Sequence, residues 1–181
     1  MSPGAPAATG HIVLVGMMGV GKSTLAKRIG RALHRPVLDT DAEIVARAGR
    51  SISEIFATDG EAVFRDLEVS ALAELLARHE PAVIAAAGGI VLRPENRTAL
   101  ATAGTVIWLH APVDVLVDRV ANGTHRPALA EDAEGTLREM ERTREALYAE
   151  VADVSISTSQ RFDSVVEEIL AAVSERESVT S

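Results

Sequence analysis

Ile12-Val13-Leu14-Val15, Gly16-Met17-Met18-Gly19-Val20-Gly21-Lys22-Ser23-Thr24 and Leu25-Ala26-Lys27-Arg28-Ile29 follow one another without a break. The middle segment fits G-x-x-x-x-G-K-[ST], and its flanks supply the apolar strand and the amphipathic helix that this pattern requires. Such a stretch is a phosphate cradle. Glycines 16, 19 and 21 let the backbone curl so that successive N–H groups point inward, and the helix that follows presents its positive end to the same spot. Lys22 brings a mobile point charge to the outer phosphates of a nucleotide, and the Ser23 hydroxyl is placed to ligate the accompanying Mg²⁺.

The bulk properties set the frame for that motif. A chain of 181 residues with 47% hydrophobic content suits one domain with one substantial core. No uninterrupted apolar run is long enough to span a membrane. Met1 to Gly10 is rich in Pro, Ala and Gly and reads as a disordered tail, not as a targeting segment. With no cysteine there is neither a disulfide framework nor a thiolate metal site, and a cytoplasmic location is expected. A net charge of −8 argues against general affinity for nucleic acid or anionic membrane. An acidic protein that handles phosphates must gather its positive charge locally.

Outward from the cradle, Val37-Leu38 ends a short strand, and Asp39-Thr40-Asp41 follows at once. Carboxylates in that position sit where open α/β sheets hold ligands, although Asp39 or Thr40 is equally suited to cap the helix that starts near Ala42. Ser51-Ile52-Ser53-Glu54 has capping-box spacing and opens a short helix, and a longer helix is expected from Glu61 to about Arg78. Phe64, Leu67, Ala71 and Leu75 form its apolar face, while Arg65 and Glu68 read as a solvated pair on a neighbouring one. Ala82-Val83-Ile84-Ala85-Ala86 is a covered central strand ending in Ala87-Gly88-Gly89, where a ligand can approach the backbone. Pro94 starts another helix, with Arg93 and Arg97 on its solvated side.

Thr105-Val106-Ile107-Trp108-Leu109 is a further strand, with Trp108 as a packing residue, and a helix from Pro112 to about Val120 carries Arg119 in its last turn. Asn122 to Asp132 is an irregular stretch of turn formers and charges centred on Arg126, which reads as a lid loop. The helix from Ala133 to Glu150 turns Arg144 and Tyr148 inward, Val154 to Ser157 alternates as a last strand, and a closing helix is expected to lose its order after Ala172. The alternation predicts a three-layer α/β P-loop NTPase fold: a five-stranded parallel sheet with helices on both faces and a lid loop.

Taken in order, Gly-x-x-Gly-x-Gly-Lys-Ser, Asp39-Thr40-Asp41, Phe64-Arg65-Asp66-Leu67-Glu68, Gly88-Gly89, Arg126-Pro127 and Arg144-x-x-Leu147-Tyr148 resemble the shikimate kinase family, from Ile12 to about Val166. The resemblance implies one kinase domain over residues 11–173, with residues 174–181 as a frayed tail, and a monomer that takes ATP, Mg²⁺ and a small hydroxy acid. It implies that Asp41, Arg65, Gly88, Gly89 and Arg144 hold shikimate, and that Ser23 binds Mg²⁺ directly and Asp39 through water. It further implies that Gly19, Val20, Gly21, Lys22, Ser23 and Thr24 hold ATP, that Arg126 closes over its phosphates, and that Arg119 and Arg161 lie near its base. Lys22, Asp41 and Arg126 then carry the chemistry.

One departure stands out. Related kinases have three successive glycines where this chain reads Ala87-Gly88-Gly89, so a positive φ at position 87, or a Cβ crowding the ligand, would strain the turn or narrow the pocket. Two alternatives stay open from sequence alone: a related kinase acting on a gluconate-like sugar acid, a cyclitol or a nucleoside monophosphate, and a nucleotide-binding module without turnover.

Overall fold

The computed structural model describes residues 10–121 and 132–180. Five parallel strands, β1 (His11–Val15), β2 (Val37–Asp39), β3 (Val83–Ala85), β4 (Gly104–His110) and β5 (Val154–Ser157), form one sheet in the order β2-β3-β1-β4-β5. Every residue of β1 is buried, because it lies mid-sheet between β3 and β4 with Leu14 opposite both Ala85 and Ile107. The loop leaving β1 therefore emerges where the strand order reverses, the place at which open α/β sheets bind ligands.

Right-handed crossovers distribute the helices. Helix α1 (Lys22–Leu33) carries the chain from β1 outward to β2 and packs with α8 (Phe162–Thr180) over one face. The connections that run the other way, through α2 (Thr40–Ala48), α3 (Ile52–Thr58), α4 (Gly60–Leu76), α5 (Pro94–Leu100), α6 (Val113–Ala121) and α7 (Ala133–Val151), cover the opposite face. The main core runs through both layers, from Ile29 and Ile169 through the sheet to Leu100 and Leu137. A second small cluster, Ile44, Ile55, Phe64 and Ala71, ties α2, α3 and α4 into a unit beside the sheet's edge.

Local chemistry sets the ends of these helices. Ser51 and Glu54 form the reciprocal capping box at α3, Pro94 occupies the first turn of α5, and the Asp132 carboxylate accepts from Gly135 N–H to start α7. Three readings of the sequence change. Arg97 is not a solvated side chain: its guanidinium donates to the Val91 and Leu92 carbonyls and pairs with Glu150 of α7, so it joins α5 to a 3-10 turn at Ile90–Leu92. Helix α8 does not lose its order after Ala172 but stays helical to Thr180, held by buried Val173 and by ion pairs from Arg176 to Asp153 and from Glu177 to Arg35. Glu68 is the third, and it belongs to the site.

Candidate active site

The nucleotide side is built by β1 and α1. Gly21 caps α1 with φ 92° and no side-chain acceptor, which leaves the first N–H groups of the helix open to an anion. The Lys22 ammonium donates to the Gly16 carbonyl at 2.7 Å and the Met17 carbonyl at 2.9 Å, which lays it along the inside of the loop. Ser23 and Thr24 are exposed on the open side, and Ser23 Oγ donates to Asp39 Oδ2 at 3.2 Å. The other oxygen of Asp39 accepts from Asp41 N–H and Ala42 N–H at 2.9 and 3.2 Å. One carboxylate thus caps α2 and faces the phosphate loop.

Arg119, from the last turn of α6, donates to the Gly19 carbonyl at 3.3 Å and to the Thr158 hydroxyl and carbonyl at 3.0 and 2.7 Å. It closes one end of a cleft of about 350 Å³ lined by Gly19, Val20, Gly21, Thr24, Thr158, Gln160 and Phe162. Arg161 is exposed and is not part of that lining; its neighbours Gln160 and Phe162 are. Arg126 and most of the expected lid fall outside the described residues. Thr158 was not singled out from sequence; its only signal was a position just past the last strand.

The acceptor side gathers residues from three helices and one turn. Asp41 stands in the first turn of α2, fixed by the Asp39 cap and by buried Thr40, whose hydroxyl accepts from Ala87 N–H at 2.8 Å. Arg65 of α4 lies against Phe64 and pairs with Glu61 at 2.9 Å and Glu68 at 2.6 Å. Its guanidinium occupies the space that a Cβ on Gly89 would need, so a side chain there would push Arg65 aside. From α7, Arg144 and Tyr148 both donate to the Gly88 carbonyl, at 3.2 and 2.5 Å. A Cβ placed on Gly88 would lie 3.6 Å from the Gly16 carbonyl oxygen, 3.7 Å from Met18 N and 3.8 Å from the Arg144 guanidinium. The acceptor side and the phosphate loop meet at this residue.

Glu68 is fully buried, contrary to the solvated pair read from its spacing with Arg65. Counted from Phe64 it falls on the same stripe as Ala71 and Leu75, so the signal was in the helical period and was masked by its charge. Burial raises its pKa, opposed by the Arg65 hydrogen bond and charge; Asp41 pushes it further up and Arg144 pulls it down. Those couplings place both arginines and both carboxylates in one electrostatic group. For Arg65, burial works against the charge, but Glu68 and Glu61 outweigh it and its pKa is raised. Glu68 Oε1 and Arg144 Nε are buried with no hydrogen-bond partner among the described residues, so the cleft retains an unfilled acceptor and an unfilled donor. Buried Tyr148 has its pKa pushed up to about 12, by burial first, and remains a neutral donor.

Such a cleft can hold a small anion between two guanidinium groups, with a carboxylate available to one of its hydroxyls and a phosphate loop opposite. No group of three or more metal-ligating acidic or histidine side chains occurs among the described residues. The hard oxygens of Ser23 and Asp39 suit a cation that takes the rest of its shell from phosphates and water.

Comparisons with known proteins converge. A family model described as shikimate kinase matches residues 18–174. A shikimate kinase of Bordetella pertussis is 47% identical over 148 residues, covering 81% of this chain and 70% of its own. The solved shikimate kinase of Acinetobacter baumannii in complex with shikimate superposes with a TM-score of 0.86 at 36% identity, over 92% of this chain and 93% of that one. A shikimate kinase of Pseudomonas syringae is 42% identical over 167 residues, 91% of this chain and 96% of its own, and with likeness of that extent in sequence, fold and site this chain belongs to the shikimate kinase family.

Proposed function

We propose that this protein transfers the γ-phosphoryl group of ATP to the 3-hydroxyl of shikimate, as a monomeric cytoplasmic enzyme of aromatic amino-acid biosynthesis. The supporting observation is the position of Gly88, where a Cβ would lie within 3.8 Å of both the phosphate loop and Arg144, so a molecule gripped by the arginines lies beside the cradle.

In this reading Arg65 and Arg144 bind the acceptor's carboxylate, and Asp41 orients the reacting hydroxyl and accepts its proton. The open N–H groups at the start of α1 take the β- and γ-phosphates, while Lys22 exchanges the Gly16 and Met17 carbonyls for phosphate oxygens. Ser23, and Asp39 through water, would hold Mg²⁺, which neutralises phosphate charge when bound. Arg119 and the neighbouring cleft border the nucleotide's base, and Arg126 supplies a further charge to the phosphates. Little covalent work falls to the protein, because positioning and charge stabilisation dominate phosphoryl transfer.

The test is ADP release, measured with a coupled assay, from Mg·ATP and shikimate, beside a gluconate-like acid, a cyclitol and a nucleoside monophosphate. Shikimate is expected to be turned over with a kcat/KM at least about 100-fold above the others, as an acceptor that fills both arginines and the carboxylate should be. Silence with shikimate, or equal rates across the panel, would remove the substrate assignment.

A further inference from the structure

The Gly88-Gly89 turn touches two cations: the Arg65 guanidinium fills the space beside Gly89, and Arg144 reaches the Gly88 carbonyl. The distance between the two guanidinium groups therefore depends on where that turn sits. Its shortest tether is the 2.5 Å hydrogen bond from the Tyr148 hydroxyl to the Gly88 carbonyl. Tyr148 lies one helical turn beyond Arg144 on α7, so both side chains leave the same face of the helix and converge on the same oxygen.

The surroundings of the Tyr148 ring show what holds it. One side stacks on Trp108, with ring centroids 6.0 Å apart and planes 19° apart. Beyond lies a cleft of about 420 Å³ between α7 and the β4–β5 edge, bordered by Tyr148, Trp108, His110 and Glu145. The ring is buried in the main core, so packing holds the ring in place and the hydrogen bond joins its hydroxyl to the Gly88 carbonyl. Because the phenol stays neutral, it is a donor at every working pH, and it holds the Gly88 carbonyl toward α7.

We infer that Tyr148 is a positioning residue for the acceptor: its hydroxyl fixes the Gly88-Gly89 turn against α7 and so sets the spacing of the Arg65 and Arg144 guanidinium groups that grip the carboxylate. The inference rests on the proposed shikimate reading and adds to it a residue that touches neither substrate. With the hydroxyl removed, the Gly88 carbonyl keeps Arg144 as its one side-chain donor among the described residues, which draws that guanidinium from the acceptor toward the backbone. The nucleotide side is fixed separately, by Lys22 on the loop carbonyls and by Arg119 on Gly19 and Thr158. The larger effect is therefore expected on the acceptor, although Gly88 also borders the phosphate loop at Gly16 and Met18.

Tyr148→Phe keeps the ring and the Trp108 stack and deletes one hydrogen bond. The KM for shikimate is expected to rise about tenfold, with kcat within about threefold, KM for ATP within about twofold, and a melting temperature within a few degrees of the parent. A purely structural role would lower the melting temperature or shift both KM values together, and that result, or an unchanged shikimate KM, would overturn the inference. The chain contains one tyrosine, so biosynthetic 3-fluorotyrosine labels position 148 alone and keeps the hydroxyl. Its ¹⁹F resonance is expected to shift and saturate with shikimate, and a resonance unmoved at concentrations that saturate turnover would overturn the inference even if the phenylalanine variant did not fold. Absence of shikimate-dependent ADP release from the parent protein sinks the substrate assignment itself; turnover with no Tyr148 effect sinks only this step.

Discussion

Ala87 and Gly89 sit two residues apart in one turn, and their requirements differ. Among the described residues His34 is the only non-glycine with a positive φ, so Ala87 carries no left-handed strain, and its N–H is used by the Thr40 hydroxyl at 2.8 Å. The concern that alanine distorts the turn is removed on the backbone count. At Gly89 a Cβ would run into the Arg65 guanidinium. Ala87→Gly is therefore expected to leave the shikimate KM within about twofold and to cost about 0.4–1 kcal/mol of stability through the freer unfolded chain. Gly89→Ala should raise the same KM by an order of magnitude or more by displacing Arg65. Steady-state kinetics and denaturant melts on the two variants decide it; a KM change in the first that matches the second would show that position 87 contacts the acceptor. The glycine pair was legible as a place of close approach. Which of the positions lies against a guanidinium was not, because that side chain is brought in from α4.

Helix α2 shows two readings of one residue holding together. From sequence, Asp39 suited either a helix cap or a metal site; in the structure Oδ1 caps the helix and Oδ2 faces Ser23. Substitution separates the roles. Asp39→Asn keeps an acceptor for the Asp41 and Ala42 N–H groups and should leave the melting temperature within a degree or two, while turnover falls because the charge beside Ser23 is gone. Asp39→Ala should lose turnover and also about 1 kcal/mol of stability, since the cap goes with it. Equal melting temperatures for the two variants would show that the cap contributes nothing, and undiminished rates in both would take Asp39 out of the metal site. Elements were legible where their signals are local, as at the Ser51/Glu54 capping box and Pro94. They were misread where distant partners decide: Arg97 is ordered by carbonyls at Val91 and Leu92 and by Glu150, and the last turns of α8 by Asp153 and Arg35.

At the scale of the whole molecule, the candidate site lies at the C-terminal end of the sheet, and at the other end lies a buried histidine. The alternation of elements predicted the parallel sheet, but not which residues would knit its far end, because those contacts join segments remote in the chain. His11, at the start of β1, is fully buried; its Nδ1 accepts from Ala82 N–H at 3.1 Å, and Nε2, assigned as the protonated nitrogen, faces the Arg78 carbonyl at 3.2 Å. That pattern requires the neutral ring, and protonating Nδ1 would set a donor against a donor. Burial lowers the His11 pKa below 6.5, aided by nearby Arg35 and opposed by the Arg78 and Leu76 carbonyls. Because the folded value lies below the unfolded one, the unfolded chain binds more protons between them. The His11 contribution to stability is therefore present in full above pH 6.5 and shrinks as the pH falls toward the lowered folded value. Buried Glu68, with its raised pKa, acts with the opposite sign, losing stability as pH rises through its folded value. Denaturant melts from pH 8 to pH 5 on the parent and on His11→Gln isolate the histidine, since Glu68 is common to both. The Gln variant is expected to be less stable at pH 8, where it loses the fitted ring, yet to lose less stability on acidification, so the two curves converge toward pH 5. Parallel curves would show that His11 takes up its proton equally in the folded and unfolded chains, and that the base of the sheet is indifferent to its charge.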